Sequence, residues 1–162
     1  MASIEAEAFH HLPSLESVNL SGYNMVTSID TLDKDALAFS STHLAKLSMD
    51  NLENLGQMAP GFISNIQPNT VLDFSDDNIS MLPEEAFREV FEVLASGPWG
   101  GPGRLMLGGN PLACDCSFSW LTSEPRLLAV VDWQGIPDTQ RPRCKDGNLL
   151  ADIDLSKACS LA

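Results

Sequence analysis

A chain of 162 residues is long enough for one domain with its own core, and 44% apolar residues is ordinary for a globular protein. Acidic residues outnumber basic ones 22 to 9, which gives a net charge of -13. That balance argues against nucleic acid or anionic membrane as a partner, since both need a basic footprint; it leaves a solvated acidic surface, with a cationic partner as the alternative.

The start of the chain, Met-Ala-Ser-Ile-Glu-Ala-Glu, lacks the basic beginning and apolar run of a secretory signal. The longest apolar stretch, Leu127 to Val131, falls far short of the ~20 residues of a membrane span. Four cysteines, Cys114, Cys116, Cys144 and Cys159, form an even set. Two of them stand one residue apart, too close to bond to each other without strain. The set therefore reads as disulfides in an oxidising compartment. Disulfides without a signal imply a fragment or truncated product; a cytosolic protein with reduced thiols is the competing explanation.

Apolar residues recur in a fixed frame along the chain. Ile4-Glu-Ala-Glu-Ala8-Phe9-His-His-Leu12 looks like the tail of one unit. Leu15-Glu-Ser-Val18-Asn-Leu20 opens the next, and Leu44-Ala-Lys-Leu47-Ser-Met49 another. The fullest copy runs from Leu72-Asp-Phe74 through Ile79, Leu82-Pro83 and Ala86-Phe87. A last copy begins at Leu105-Met-Leu107-Gly-Gly-Asn110-Pro-Leu112. Alternate residues of a strand face one side, so Val18 and Leu20, Leu47 and Met49, Leu72 and Phe74, and Leu105 and Leu107 are expected to point inward. Phe9, Phe62 and Phe87 are expected to fill the core from the opposite side.

These units resemble the leucine-rich repeat in its extracellular variant. The segment Asn110-Pro-Leu112-Ala-Cys114-Asp-Cys116, followed by Trp120-Leu121, Cys144 and Cys159, resembles the cysteine-rich C-terminal flanking domain of the same proteins. The resemblance implies an α/β solenoid: a short, irregular leucine-rich repeat horseshoe with a parallel concave sheet and a disulfide-bonded C-terminal cap. Residues 1–109 would hold the repeats, with about four strands, and residues 110–162 the cap. Sequence alone permits three disulfide connectivities; family precedent implies Cys114 with Cys144 and Cys116 with Cys159. It also implies a helix over about 118–123, with Phe118, Trp120, Leu121, Leu127 and Leu128 lying over the last repeat and Trp120 shielding the final inward leucines.

The frame is uneven. Val18, Leu47, Leu72 and Leu105 stand 29, 25 and 33 residues apart, where such repeats run about 20–29. The surplus is expected as loops, between Tyr23 and His43 and from Leu94 to Gly103. The second loop carries Trp99, which packs back on the core or projects as a contact anchor. The internal asparagine position of the repeat holds Tyr23, Leu52, Asp77 and Asn110. Only Asn110 matches, with Asp77 a near miss, so the buried hydrogen-bond ladder of the family is expected to be mostly absent.

No catalytic constellation emerges. His10, His11 and His43 sit in no metal-ligand frame, there is no nucleophile elbow, and the Gly100-Gly101-Pro102-Gly103 run lacks the Lys-Ser/Thr of a phosphate loop. Zinc would favour paired C-x2-C spacing, which is missing. Asp73, Asp76 and Asp77 lack the spacing of a calcium loop and read as a solvated acidic edge. No catalytic residue, cofactor or metal is therefore expected.

The remaining functional surface is the outward side of the sheet. Its columns read Ser17, Lys46, Val71 and Arg104; Asn19, Ser48, Asp73 and Met106; and Ser21, Asp50, Ser75 and Gly108. Asn19, Lys46, Ser48, Asp50, Asp73, Ser75, Arg104 and Met106 are the candidate binding residues. Asn19-Leu-Ser21 and Asn78-Ile-Ser80 fit the N-glycosylation pattern. The resemblance points to a non-catalytic protein-binding module of a secreted or membrane-anchored protein, with another protein as partner and no membrane insertion within this chain. The second reading is a non-catalytic accessory subunit of a secreted enzyme complex. The accessory subunit of a secreted crustacean luciferase is one such family, and degenerate repeats of this kind are compatible with it.

Overall fold

The computed structural model describes residues 4–22, 29–98, 101–155 and 159. Eight short strands are present among them: β1 (Ser17–Asn19), β2 (Thr31–Leu32), β3 (Leu37–Ala38), β4 (Lys46–Ser48), β5 (Gln57–Met58), β6 (Ile63–Ser64), β7 (Val71–Asp73) and β8 (Arg104–Met106). Every pairing between them is parallel. Strands β1, β4, β7 and β8 form one open sheet in that order, while β2 pairs with β5 and β3 with β6.

The register explains why three-residue strands suffice. It aligns Val18, Leu47, Leu72 and Leu105 in one row across the sheet. Leu47, Leu72 and Leu105 have no exposed surface, and Val18 is buried. The next inward row is Leu20, Met49, Phe74 and Leu107; all but the half-buried Leu20 are buried. Like residues therefore meet like residues, and each strand removes its neighbour's apolar side from water. Aromatic rings fill the opposite side of the core. Phe62 lies 5.3 Å from Phe87, both buried, and the half-buried Phe9 lies 5.4 Å from Phe39.

Part of the surplus is regular secondary structure rather than loop. Of the 23–43 stretch, residues 23–28 lie outside the described residues, but residues 31–38 carry β2 and β3, whose parallel partners lie in the following unit. Most of the surplus before β8 is helix α1 (Glu84–Ala95). Ala86, Phe87, Val90, Phe91 and Leu94 are buried, the spacing of a single helical face. Pro83 precedes the helix, where a missing N–H costs nothing, and Glu84 and Glu85 favour the positive end of its dipole. Leu94 thus belongs to the helix core, and the turn-rich segment starts after Ala95. Trp99 lies outside the described residues.

Chain between short strands carries polar backbone that the interior cannot solvate. Side chains satisfy it. Asn110 Nδ2 donates to the carbonyls of Phe74 (2.8 Å) and Leu107 (3.0 Å), and its Oδ1 accepts the Ile79 N–H (3.1 Å). Asp77 Oδ1 accepts the Leu52 N–H (2.8 Å). The asparagine ladder is therefore present in two rungs. Leu52, at the same position, is simply buried. A second ladder stands at the other end of the strands and has no counterpart in the sequence reading. Ser41 Oγ donates to the Leu15 carbonyl (2.6 Å) and Thr70 Oγ1 to the Leu44 carbonyl (2.7 Å); both hydroxyl residues are fully buried.

Thr70 Oγ1 also accepts the Gln67 N–H at 2.9 Å. Thr70→Val keeps the shape and strands both backbone groups, so it is expected to lower unfolding free energy by about 1–3 kcal/mol. Urea unfolding of the variant checks this.

Candidate functional site

The strand register brings the outward columns together. Ser17, Lys46, Val71 and Arg104 align in one row and Asn19, Ser48, Asp73 and Met106 in the next, with neighbours about 5 Å apart. Local hydrogen bonds fix the second row. Asn19 Oδ1 accepts the Ser21 N–H (3.0 Å) and Asp73 Oδ1 accepts the Ser75 N–H (3.1 Å). Asp50 is held by Asn51 Nδ2 at 2.7 Å from its Oδ2. Lys46 and Asn19 are exposed; Asp50, Asp73 and Ser75 are half-buried. Ser48 and Ser21 are buried and contribute little to any contact surface.

The β8 end of this surface is covered. Leu105 N–H donates to the Val130 carbonyl (3.1 Å), which joins the C-terminal segment to β8. The Arg104 guanidinium lies 4.6 Å from the centre of the Trp133 ring, a cation–π arrangement. At Gly108 a Cβ would stand 2.9 Å from the Gln140 carbonyl oxygen, so this close approach requires glycine. Arg141 grips Asp132 through two 2.9 Å hydrogen bonds, with the Asp132 side chain only 5% exposed, and this pins the covering segment. Arg104, under the Trp133 ring, is half-buried, and so is Met106. The open part of the surface is carried by β1, β4 and β7. Trp133, Gln140 and Arg141 had no place in the sequence reading, because nothing in their spacing says that the chain doubles back over β8.

The covering segment is anchored by disulfides Cys114–Cys144 and Cys116–Cys159, with Cα–Cα distances of 5.6 and 5.4 Å. The local sequence prepares both. Asn110 fixes the turn after β8, and Leu112 forms a parallel bridge with Cys144 while its carbonyl accepts the Lys145 N–H (2.8 Å). Cys114 takes a positive φ of 52°, and Asp115 Oδ1 accepts the Ser117 N–H (2.9 Å), starting a helical turn. That turn (Cys116–Phe118) runs into α2 (Ser119–Thr122) and is followed by α3 (Pro125–Leu128). Phe118, Trp120, Leu121 and Leu127 are buried and Leu128 is half-buried. Trp120 packs edge-on against Phe91 of α1, with 5.2 Å between centroids, and its Nε1 donates to the Leu82 carbonyl (3.1 Å). Its ring thus contacts α1, the element that the sequence reading missed. Two solvent-screened ion pairs link α1 to this cap, Arg88 with Glu124 (3.1 Å) and Glu92 with Arg126 (2.9 Å).

The acidic edge is not uniformly solvated. Asp76 is exposed and Asp73 half-buried, but Asp77 is buried. Nothing in the geometry assembles an acid–base or nucleophile site from the histidines, all three of which are exposed. Among the described residues no group of three or more His, Cys, Asp or Glu is placed to hold a metal ion. No helix there is long and apolar enough to cross a membrane.

No family model matches the chain. A curated relative does. The chain is similar to the Oplophorus-luciferin 2-monooxygenase non-catalytic subunit of Oplophorus gracilirostris. The two are 29% identical over 154 residues, which cover 95% of this chain and 37% of that protein. The chain therefore spans just over a third of the relative's length. That relative is, by name, the non-catalytic part of an enzyme.

In the loop-entropy account, closing loops of 30 and 43 residues contributes about 3.5–4 kcal/mol each, less where the loops overlap. Cys114→Ala/Cys144→Ala is expected to lower unfolding free energy by about 2–5 kcal/mol. Urea unfolding of the double variant beside the oxidised parent measures it.

Proposed function

We propose that this chain is a non-catalytic protein-binding module, and that it serves as an accessory subunit of an extracellular enzyme complex. Its repeating parallel register supports a short leucine-rich repeat solenoid over residues 1–109, closed by a cap over residues 110–162. Two disulfides favour an oxidising, extracellular setting. The observation that carries the functional reading is the match, along nearly the whole chain, to a subunit named as non-catalytic. It agrees with the geometry of the open strands, which assembles a polar face.

The binding surface in this reading is the open face of β1, β4 and β7. It comprises Asn19, Lys46, Asp50, Asp73 and Ser75. Arg104, beneath Trp133, serves to dock the cap rather than a ligand, and the half-buried Met106 lies at the margin of the face. With a net charge of -13, the protein favours a partner whose contacting surface is basic. Asn19 and Asn78 are exposed and are the proposed glycan acceptors. A glycan on Asn19 would stand on the binding face, so Asn78 is the site compatible with partner binding.

Purification of the native protein under non-denaturing conditions is expected to bring a second, catalytic chain with it. Asp73→Lys is expected to weaken that association at least tenfold under conditions where circular dichroism shows the variant to be fully folded. A native protein that purifies alone, or an association that Asp73→Lys leaves intact, contradicts the proposal.

A further inference from the structure

Asp77 is the one carboxylic acid in the described structure that combines burial with an unanswered oxygen. Only 7% of the residue is exposed. Its Oδ1 accepts the Leu52 N–H at 2.8 Å, and its Oδ2 is buried with no hydrogen-bond partner. A buried polar atom left unpaired costs free energy, and an ionised one costs more. One unit further on, the equivalent position holds Asn110. Its amide nitrogen donates to two backbone carbonyls while its oxygen accepts one N–H. A neutral carboxylic acid offers part of that capacity, one accepting oxygen and a single O–H to donate. An ionised carboxylate can only accept.

The segment around Asp77 ties neighbouring units together. Asn51 N–H donates to the Ser75 carbonyl, Asp76 N–H to the Gly108 carbonyl and Asn78 N–H to the Leu55 carbonyl. The charged groups acting on Asp77 are Asp50, from the turn after β4, Asp73, at the end of β7, and its neighbour Asp76. All are acidic. Glu53, in the turn that carries Leu52, is exposed, and the turn after β8 presents the neutral Asn110. No cation answers Asp77 from any of these elements in the ion pairs of the described residues.

We propose that Asp77 is a proton-controlled latch between the turns that follow β4, β7 and β8: closed when its carboxyl is neutral, and loosened when it ionises and draws in water. The electrostatics agree with the geometry. Burial pushes its pKa from 3.8 up to about 8; the Leu52 N–H opposes the rise, and Asp50, Asp73 and Asp76 add to it. The folded chain thus keeps a proton that the unfolded chain has released. Its stabilising effect is complete below the unfolded pKa and is lost as pH rises through the folded one. Asp50 and Asp73, both on the open face, contribute to the field that acts on the latch.

The test is urea unfolding of the full chain between pH 4 and pH 8. In the wild type the unfolding equilibrium constant is expected to rise by up to about tenfold per pH unit through this one group. Asp77→Asn supplies the missing donor and should remove that component, whereas Asp76→Asn, on the exposed neighbour, should keep it. Carbon-13 titration of the aspartate carboxyls in the wild type gives a second reading that needs no variant. One carboxyl titrating near pH 8 is the expected result. Equal pH slopes for wild type and Asp77→Asn, or every carboxyl titrating in the ordinary acid range, would overturn the proposal.

Discussion

The parallel alignment of equivalent residues is the constraint on which this structure depends. A strand of three residues offers one or two apolar side chains to a core, too few to stand alone. Leu47, Leu72 and Leu105 are fully buried because each is flanked by a residue of the same kind in the next strand. The alignment in turn requires that every connection return the chain to the same register. Each connection carries backbone N–H and C=O groups through the interior. Ser41 and Thr70 before the strands, and Asp77 and Asn110 after them, absorb those groups. The ladders are thus part of the same constraint as the leucines.

A stack of this kind has two ends, and they differ here. At β8 the C-terminal segment supplies a backbone hydrogen bond, a tryptophan over Arg104 and a close approach at Gly108, with disulfides at its root. At the other end, β1 pairs only with β4 among the described residues. Covering β8 also reshapes the outward face. It withdraws the one arginine from that surface and leaves Lys46 as its exposed cation, beside Asp50 and Asp73. The face is therefore polar and largely acidic, lacking the large aromatic anchors that dominate many tight interfaces. Charge complementarity, more than apolar burial, is the means of recognition such a surface offers.

Much of this was legible in the sequence. The positions of β1, β4, β7 and β8 followed from the alternation of Val18 with Leu20 through Leu105 with Leu107, since period-two burial writes itself directly into residue type, whereas the two-residue strands β2, β3, β5 and β6 carry too short a pattern to be seen. The C-x-C pair and the asparagine before it marked the end of the stack. The rest was hidden for identifiable reasons. Helix α1 was obscured because Ala86 and Phe87 fit the repeat frame as well as they fit a helical face, and the two patterns share those positions. The hydroxyl ladder was invisible because a serine or threonine before a strand is ordinary in solvent as well as in a core. Asp77 was read as solvated because residue type alone does not report burial, and its two acidic neighbours are at least partly exposed. The covering of Arg104 by Trp133 depends on the return path of residues 130–141, which no local pattern encodes.

The open face of β1, β4 and β7 is proposed to meet a protein partner. Lysine-directed cross-linking of the native complex, read by mass spectrometry, tests it most directly, because Lys46 reports on that face while Lys34 and Lys145 lie in other turns. Cross-links from Lys46 to a second chain are expected, with protection of Lys46 from modification in the complex. Cross-links confined to the other three lysines, Lys34, Lys145 and Lys157, with Lys46 equally reactive in the free and bound protein, would contradict a partner on this face.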